Sequence, residues 1–283
     1  MINSIREIPV YIIHLPERVD RWQRFIQSGV LDYFQNVQRL DAVNGRALSF
    51  DKDRRFSVRT RYNILRNYRR SHYEIATMGA VGASMSHINT WKRFYKSGKP
   101  MCIIMEDDLG WKPEYAQIIE ELYKHLPYDW GMWLIGYHNG IHFQEFNKRQ
   151  LWDKVVNFTG AHCYLLRRET AKIFLEEPYP VETHIEFYMS AVAALKNVLI
   201  LRNTQIQIQP AQFSSMEIVD HSDTRHPSKM ECPVCSVPDN LKQIYGTVHR
   251  TKGGINLGVI PTRSTRRKRH VTKKSSHYIE DVI

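Results

Sequence analysis

Apolar and polar positions along this chain sort most of it into short buried strands alternating with amphipathic helices. Val10-Tyr11-Ile12-Ile13-His14-Leu15 is a continuous apolar run stopped by Pro16, the pattern of a buried strand. A helix is predicted over Arg18 to Gln27, ended by Gly29, and Val37 to Ala42 reads as a second strand before the Asn44-Gly45 turn. Phe50 to Tyr73 is polar, Arg-rich and poorly periodic, and residues 50–75 are expected as an insertion or mobile loop. Gly79 and Gly82 introduce a helix over Ala83 to Lys96, closed by Gly98. The run Met101 to Met105 predicts another buried strand. Pro113 to Leu126 is amphipathic, with Tyr115, Ile118, Ile119 and Leu122 on one face. Short strands follow over Met132 to Ile135, Ala161 to Leu166 and Val198 to Leu201, with Gly136 and Gly140 in a loop and a helix over Glu169 to Glu176. Thr183-His184-Ile185-Glu186 fits a capping box for a helix reaching Lys196, and Ile206 and Ile208 alternate with glutamines as a half-buried strand. Strand and helix in alternation predict an α/β fold.

Charge changes the picture only locally. The 283 residues carry a net charge of +11, which by itself suggests a polyanion as partner. The charge is concentrated in two places, however. Arg263, Arg266, Arg267, Lys268, Arg269, Lys273 and Lys274 crowd a polar tail, and Arg54, Arg55, Arg59, Arg61, Arg66, Arg69 and Arg70 fall in the Arg-rich stretch. The expected organisation is a domain over 1–225, an extension over 226–260 and a basic, disordered tail over 261–283. No run approaches a membrane span, the first residues lack a signal-peptide core, and four cysteines are too few for a disulfide scaffold. The expectation is a soluble cytoplasmic protein.

The candidate chemistry lies where the central strand ends, in Glu106-Asp107-Asp108. Ligands in open α/β sheets sit beyond the carboxyl ends of strands, which is where these acids fall. In extended backbone Glu106 and Asp108 share one side and Asp107 takes the other. Two adjacent carboxylates repel unless a cation lies between them, and oxygen ligands suit Mn²⁺ or Mg²⁺, which in turn would hold a diphosphate. The same acids also suit the N-terminal end of the following helix, so both readings stand at this point. Farther on, His221, His226, Cys232 and Cys235 offer two histidines and two cysteines, a candidate structural Zn²⁺ set.

Several motifs in order resemble glycosyltransferase family 25, which includes collagen and lipo-oligosaccharide galactosyltransferases and has related domains in viruses. They are Tyr11 to Leu15 with Arg18 and Arg21, Asp41 to Gly45, Gly79-Ala-Val-Gly82-Ala-Ser-Met-Ser86-His87 with Trp91, then Glu106-Asp107-Asp108, Leu134 to Gly136, Gly160 to Leu166 and Ser222-Asp223. The sequence departs from the family at His14, Ala80 and Ala83. The resemblance implies a GT-A nucleotide-sugar-binding sheet and a metal-dependent inverting transfer of a hexose, galactose or glucose, from a UDP-sugar to a hydroxyl on a glycan or protein. It implies Asp108, Glu106 and a late histidine, His221, as metal ligands, with Asp107 supporting. Arg18, Arg21, Ser86 and His87 are candidates around the nucleotide. An inverting displacement needs a base, and Glu186, then Glu182, stand at the expected place. The competing reading is an inactive GT-A scaffold serving as a nucleic-acid-binding or virion structural protein, favoured by the basic clusters. Those clusters also suit an acidic or lipid-linked acceptor.

Overall fold

The computed structural model describes residues 4–66, 71, 73–143, 151–211, 248–251 and 254–257. Its centre is a mixed eight-stranded sheet. In chain order the strands are β1 (Val10–His14), β2 (Val37–Asp41), β3 (Met101–Glu106), β4 (Trp130–Gly136), β5 (Asn139–Phe143), β6 (Trp152–Thr159), β7 (Cys163–Arg167) and β8 (Leu199–Asn203), and they lie side by side as β2-β1-β3-β7-β4-β8-β6-β5. β1 pairs in parallel with β2 and β3, and β4 in parallel with β8, whereas β7 runs antiparallel between β3 and β4. A separate antiparallel pair joins β9 (Val248–Thr251) to β10 (Gly254–Leu257).

Side-chain alternation explains why the central strands are apolar throughout. On β3, Cys102 and Ile104 enter one core while Ile103 and Met105 enter the other; on β4, Met132 and Leu134 oppose Trp133 and Ile135 in the same way. The first core is roofed by α4 (Met78–Lys96), α6 (Arg168–Phe174) and α7 (Ile185–Lys196). The second is covered by α1 (Val19–Gln27), α2 (Val30–Tyr33) and α5 (Glu114–Lys124). Helices on both faces leave no solvated face over the central strands, as the continuous apolar runs require.

The structure departs from the sequence pattern in four places. Within the Arg-rich stretch, where a loop was expected, Val58–Arg66 forms α3, with Thr60 and Asn63 buried and Phe56 bridged to Val181. Its weak periodicity reflects arginines whose stems pack inward, such as Arg61 over the Phe56 ring at 4.3 Å. α4 begins at Met78, not Ala83, because Thr77 caps it by accepting from the Ala80 N–H. Gly79 and Gly82 are therefore inside the helix. The α7 capping box does not form: His184 is the N-cap residue and makes no side-chain cap bond. Finally, Gly136 and Gly140, expected in a loop, lie in β4 and β5, β6 extends the sheet further, and Ile208 makes a single bridge to Gly136 in place of a strand. The basic tail, the 226–247 part of the extension, and His221, Ser222, Asp223, His226, Cys232 and Cys235 lie outside the described residues.

Candidate active site

β3 ends at Glu106, and the chain turns at Asp107 and Asp108. The alternation that sends Cys102 and Ile104 toward α4 also sends Glu106 there, while Asp107 faces α1. The turn is held on both sides. The Asp107 N–H donates to the Ile13 carbonyl at 3.2 Å, and the Ala211 N–H donates to the Asp108 carbonyl at 2.6 Å.

On the α4 side, Glu106 Oε1 is 3.0 Å from His87 Nε2, and His87 Nδ1 is 2.9 Å from the Tyr164 hydroxyl. The Trp91 indole N–H donates to that same hydroxyl at 2.8 Å. An indole only donates, so the Tyr164 O–H is left to donate to Nδ1, and His87 presents an Nε2–H to Glu106. His87 thus orients the acid from a buried position. Trp91 and Tyr164 fix His87 in turn.

His162 approaches Glu106 from the neighbouring strand. Antiparallel pairing sets Met105 opposite Cys163, and the Glu106 N–H donates to the His162 carbonyl at 2.8 Å. The His162 ring is 5% exposed, yet neither ring nitrogen has a hydrogen-bond partner; Nδ1 stops 3.5 Å from Glu106 Oε2. Ligand atoms of Glu106, Asp108 and His162 all lie within 4.8 Å of one another. Gly160 permits this approach: its φ is +76°, and a Cβ there would stand 2.7 Å from His162 Nε2.

On the α1 side, one Arg21 nitrogen lies 2.6 Å from Asp107 and 2.7 Å from Asp108, and His14 Nδ1 lies 2.6 Å from Asp107. Asp107 and Asp108 therefore do have a positive partner in Arg21, contrary to what the motif alone suggests. Burial pushes the Asp107 carboxyl up, and Arg21 and His14 do not fully reverse it. Burial would also raise Glu106, but His162 and His87 hold it well below the usual carboxylate range. Burial lowers His162, and Glu106, Asp108 and Glu186 more than offset it.

Glu186, on the first turn of α7, belongs to the same cluster. Burial raises its carboxyl, the Gly160 N–H bonded to it pulls the other way, and the charge of Glu106 adds to the rise. Its position at a helix start leads one to expect a lowered value, but desolvation wins. The other candidates make other contacts. Glu182 is exposed, and its carbonyl accepts from the Ile75 N–H. Arg18 pairs with Asp20 at 2.9 Å while remaining within reach of the Asp107 and Asp108 charges. Ser86 accepts from the Val43 N–H at 2.8 Å and donates to the Gly82 carbonyl at 2.7 Å, a structural tie. His162 was missed because its place beside Glu106 depends on strand pairing, and the only local signal is a histidine just after Gly160 at the mouth of an apolar strand.

The residues fit a divalent cation. The three acids against the Arg21 guanidinium leave two negative charges when His14, His87 and His162 are neutral, and a buried imidazole with no hydrogen-bond partner is aimed at them. Two carboxylates and an imidazole suit Mn²⁺ better than Mg²⁺, which favours all-oxygen surroundings.

The model of Glycosyltransferase family 25 (LPS biosynthesis protein) matches residues 7–189. A glycosyltransferase 25 family member of Aedes aegypti is 25% identical over 181 residues, covering 59% of this chain and 28% of that protein. An inactive glycosyltransferase 25 family member 3 of Mus musculus is 27% identical over 114 residues, covering 40% of this chain and 18% of that one. The chain thus spans less than a third of the length of either relative. UDP-glucose pyrophosphorylase complexed with UDP-glucose superposes with a TM-score of 0.41 at 12% identity, over 76% of this chain and 97% of that structure.

Proposed function

The chain belongs to glycosyltransferase family 25, and from that premise we propose that it moves a hexose, galactose or glucose, from a UDP-sugar to a hydroxyl of a glycan or protein acceptor, with inversion. The observation that carries this reading is the convergence of Glu106, Asp108 and His162 at the carboxyl end of β3, with Glu186 beside them. Glu106, Asp108 and His162 are the residues to hold Mn²⁺, and His162 takes the place assigned from sequence to His221. A bound divalent cation supplies positive charge for the departing diphosphate. The protein's own groups do the rest. His87 fixes the rotamer of Glu106, and Arg21 holds Asp107 and Asp108 in place. Glu186 accepts the proton of the attacking hydroxyl, and its raised pKa makes it a better base than an ordinary carboxylate.

A second reading, an inactive scaffold, draws on the Arg21 contact: a cation already bridges Asp107 and Asp108. One experiment separates the two. Nucleoside diphosphate release is measured over a panel of nucleotide sugars with Mn²⁺, and Mn²⁺ affinity is titrated in the wild type and in His162→Ala. The transferase reading expects UDP release from one or more UDP-hexoses, and a loss of Mn²⁺ affinity of about tenfold or more in the variant. No release above the level of Asp108→Ala, together with Mn²⁺ affinity unchanged by His162→Ala, would leave the scaffold reading.

A further inference from the structure

α3 carries an apolar ridge that stands exposed among the described residues. Val58 is 81% exposed, Leu65 73% and Tyr62 55%, and these make up three of the seven large hydrophobic side chains exposed among the described residues. Their spacing of four and then three residues places them along one line of the helix. Beneath the ridge the helix is firmly seated. The Thr60 hydroxyl donates to the Val181 carbonyl at 2.8 Å, Asn63 Nδ2 donates to Glu74 at 3.1 Å, and Phe56 is 1% exposed. The ridge is therefore the outer face of an ordered helix, not a frayed segment whose apolar side waits to fold inward.

Its border is basic. Residues 51–66 hold six cationic and two acidic side chains. At about 100° per residue, Arg59 and Arg66 follow one edge of the ridge. The acids nearby are largely engaged: Asp53 pairs with Arg55 at 2.6 Å, and Glu74 with Arg59 at 3.6 Å. Lys52, Arg54 and Arg66 are exposed and make no ion pair among the described residues. Arg66 instead stands 5.6 Å from the centre of the Tyr62 ring, keeping its charge at the edge of the apolar line.

From this combination we infer that α3 is a docking surface for an anionic lipid bilayer. A convex line of Val, Tyr and Leu edged by arginine matches an interfacial helix, which sinks apolar side chains between headgroups and holds the phosphates with its cations. A nucleic acid would use the arginines but has no place for Val58 and Leu65. The position also makes chemical sense. Val181, to which α3 is tied by the Phe56 bridge and the Thr60 hydrogen bond, lies five residues before Glu186 on the segment entering α7. A surface bound at α3 would hold a membrane-borne hydroxyl on the side of the molecule where that segment enters the acidic cluster. The inference itself does not depend on transfer activity.

The test uses the full chain and sedimentation with vesicles of equimolar phosphatidylcholine and phosphatidylserine, with phosphatidylcholine vesicles as the neutral control. The ridge variant combines Val58→Ser, Tyr62→Ser and Leu65→Ser, all at exposed positions; unchanged thermal unfolding verifies its fold. Wild type is expected on the anionic vesicles and not on the neutral ones, and the ridge variant to lose about tenfold or more in partition. Lys52→Gln with Arg54→Gln should weaken binding and its salt sensitivity together. The basic C-terminal residues are common to all variants, so wild-type partition in the ridge variant would assign the binding to them and overturn the inference. It is equally overturned if wild type ignores anionic vesicles, or if the ridge substitutions abolish binding to polyuridylate while leaving vesicle binding intact.

Discussion

Glu106 stands between two histidines with different tasks. His87 is locked by Tyr164 and Trp91 and serves the acid as a fixed donor, whereas His162 is buried, feels the Glu106 charge at 3.5 Å and has no hydrogen-bond partner at either nitrogen. A third neighbour, Glu186, feels the negative charge of Glu106 on top of its own burial. A carboxyl with a raised pKa in the folded state contributes stability below its unfolded value and loses it as pH rises through the folded one. At neutral pH the Glu186 charge is therefore a cost to the fold. Glu186→Gln is expected to melt at the same temperature as wild type or higher, to keep its affinity for UDP with Mn²⁺, and to lose transfer by about 10²–10⁴. For the wild type, transfer should rise from acid toward neutral pH as Glu186 sheds its proton. A fall in transfer of less than tenfold, measured alongside the melting curves, would remove Glu186 as the base. The base would then have to be sought at the exposed Glu182 or at another residue.

At the scale of elements, the glycines of α4 show how the first core is assembled. A Cβ on Gly82 would come within 2.4 Å of the Val43 carbonyl oxygen and 2.6 Å of the Gly45 nitrogen, and one on Gly45 within 1.7 Å of the Met78 carbonyl oxygen. Backbone meets backbone here, with Ser86 adding its hydrogen bond to Val43. Gly82→Ala has no flexible neighbour to push aside. We expect a loss of about 1–3 kcal/mol, seen as a melting midpoint lowered by several degrees. An unchanged midpoint would mean that the Asn44-Gly45 turn can withdraw from α4 without penalty. Much of this architecture was legible from sequence, because β1, β3, β4 and β8 are apolar on both faces and α1 and α5 have clear boundaries. The glycines themselves misled on the start of α4, since helix propensity counts Gly79 and Gly82 against a helix while close packing requires glycine at position 82. α3 was missed for a related reason: its exposed face carries Val58, Tyr62 and Leu65, so it lacks the polar outer side that marks a surface helix. At the site, Glu106, Asp108 and Glu186 could be named from motif and position. His162 could not, because antiparallel pairing of β3 with β7 is a long-range event with no local signature.

At the scale of the whole molecule, the described residues of the candidate site all fall within the first 211 positions. All strands of the eight-stranded sheet end by Asn203, and the acidic turn is closed by Gln209, Pro210 and Ala211, through Gly110 N–H to Gln209, the Leu109–Pro210 bridge and Ala211 N–H to Asp108. Residues 261–283 hold seven cationic and two acidic side chains, five of the net eleven positive charges, with few apolar residues to bury. Among the described residues nothing in the sheet or the site calls on that stretch. Deleting it should therefore leave the site intact while lowering the molecule's attraction for anions at long range. A chain ending at Ile260 retains His221 and is expected to unfold cooperatively at the full-length temperature. It should bind UDP with Mn²⁺ within about twofold of the full chain at 0.15 M salt, where charges farther apart than about 8 Å are largely screened. At low salt the full chain should gain affinity for the anionic nucleotide and the shortened one gain less. Calorimetric titration at the two salt concentrations checks both statements. Loss of UDP binding at the higher salt, with melting unchanged, would show that the basic residues reach the site and contact the nucleotide directly.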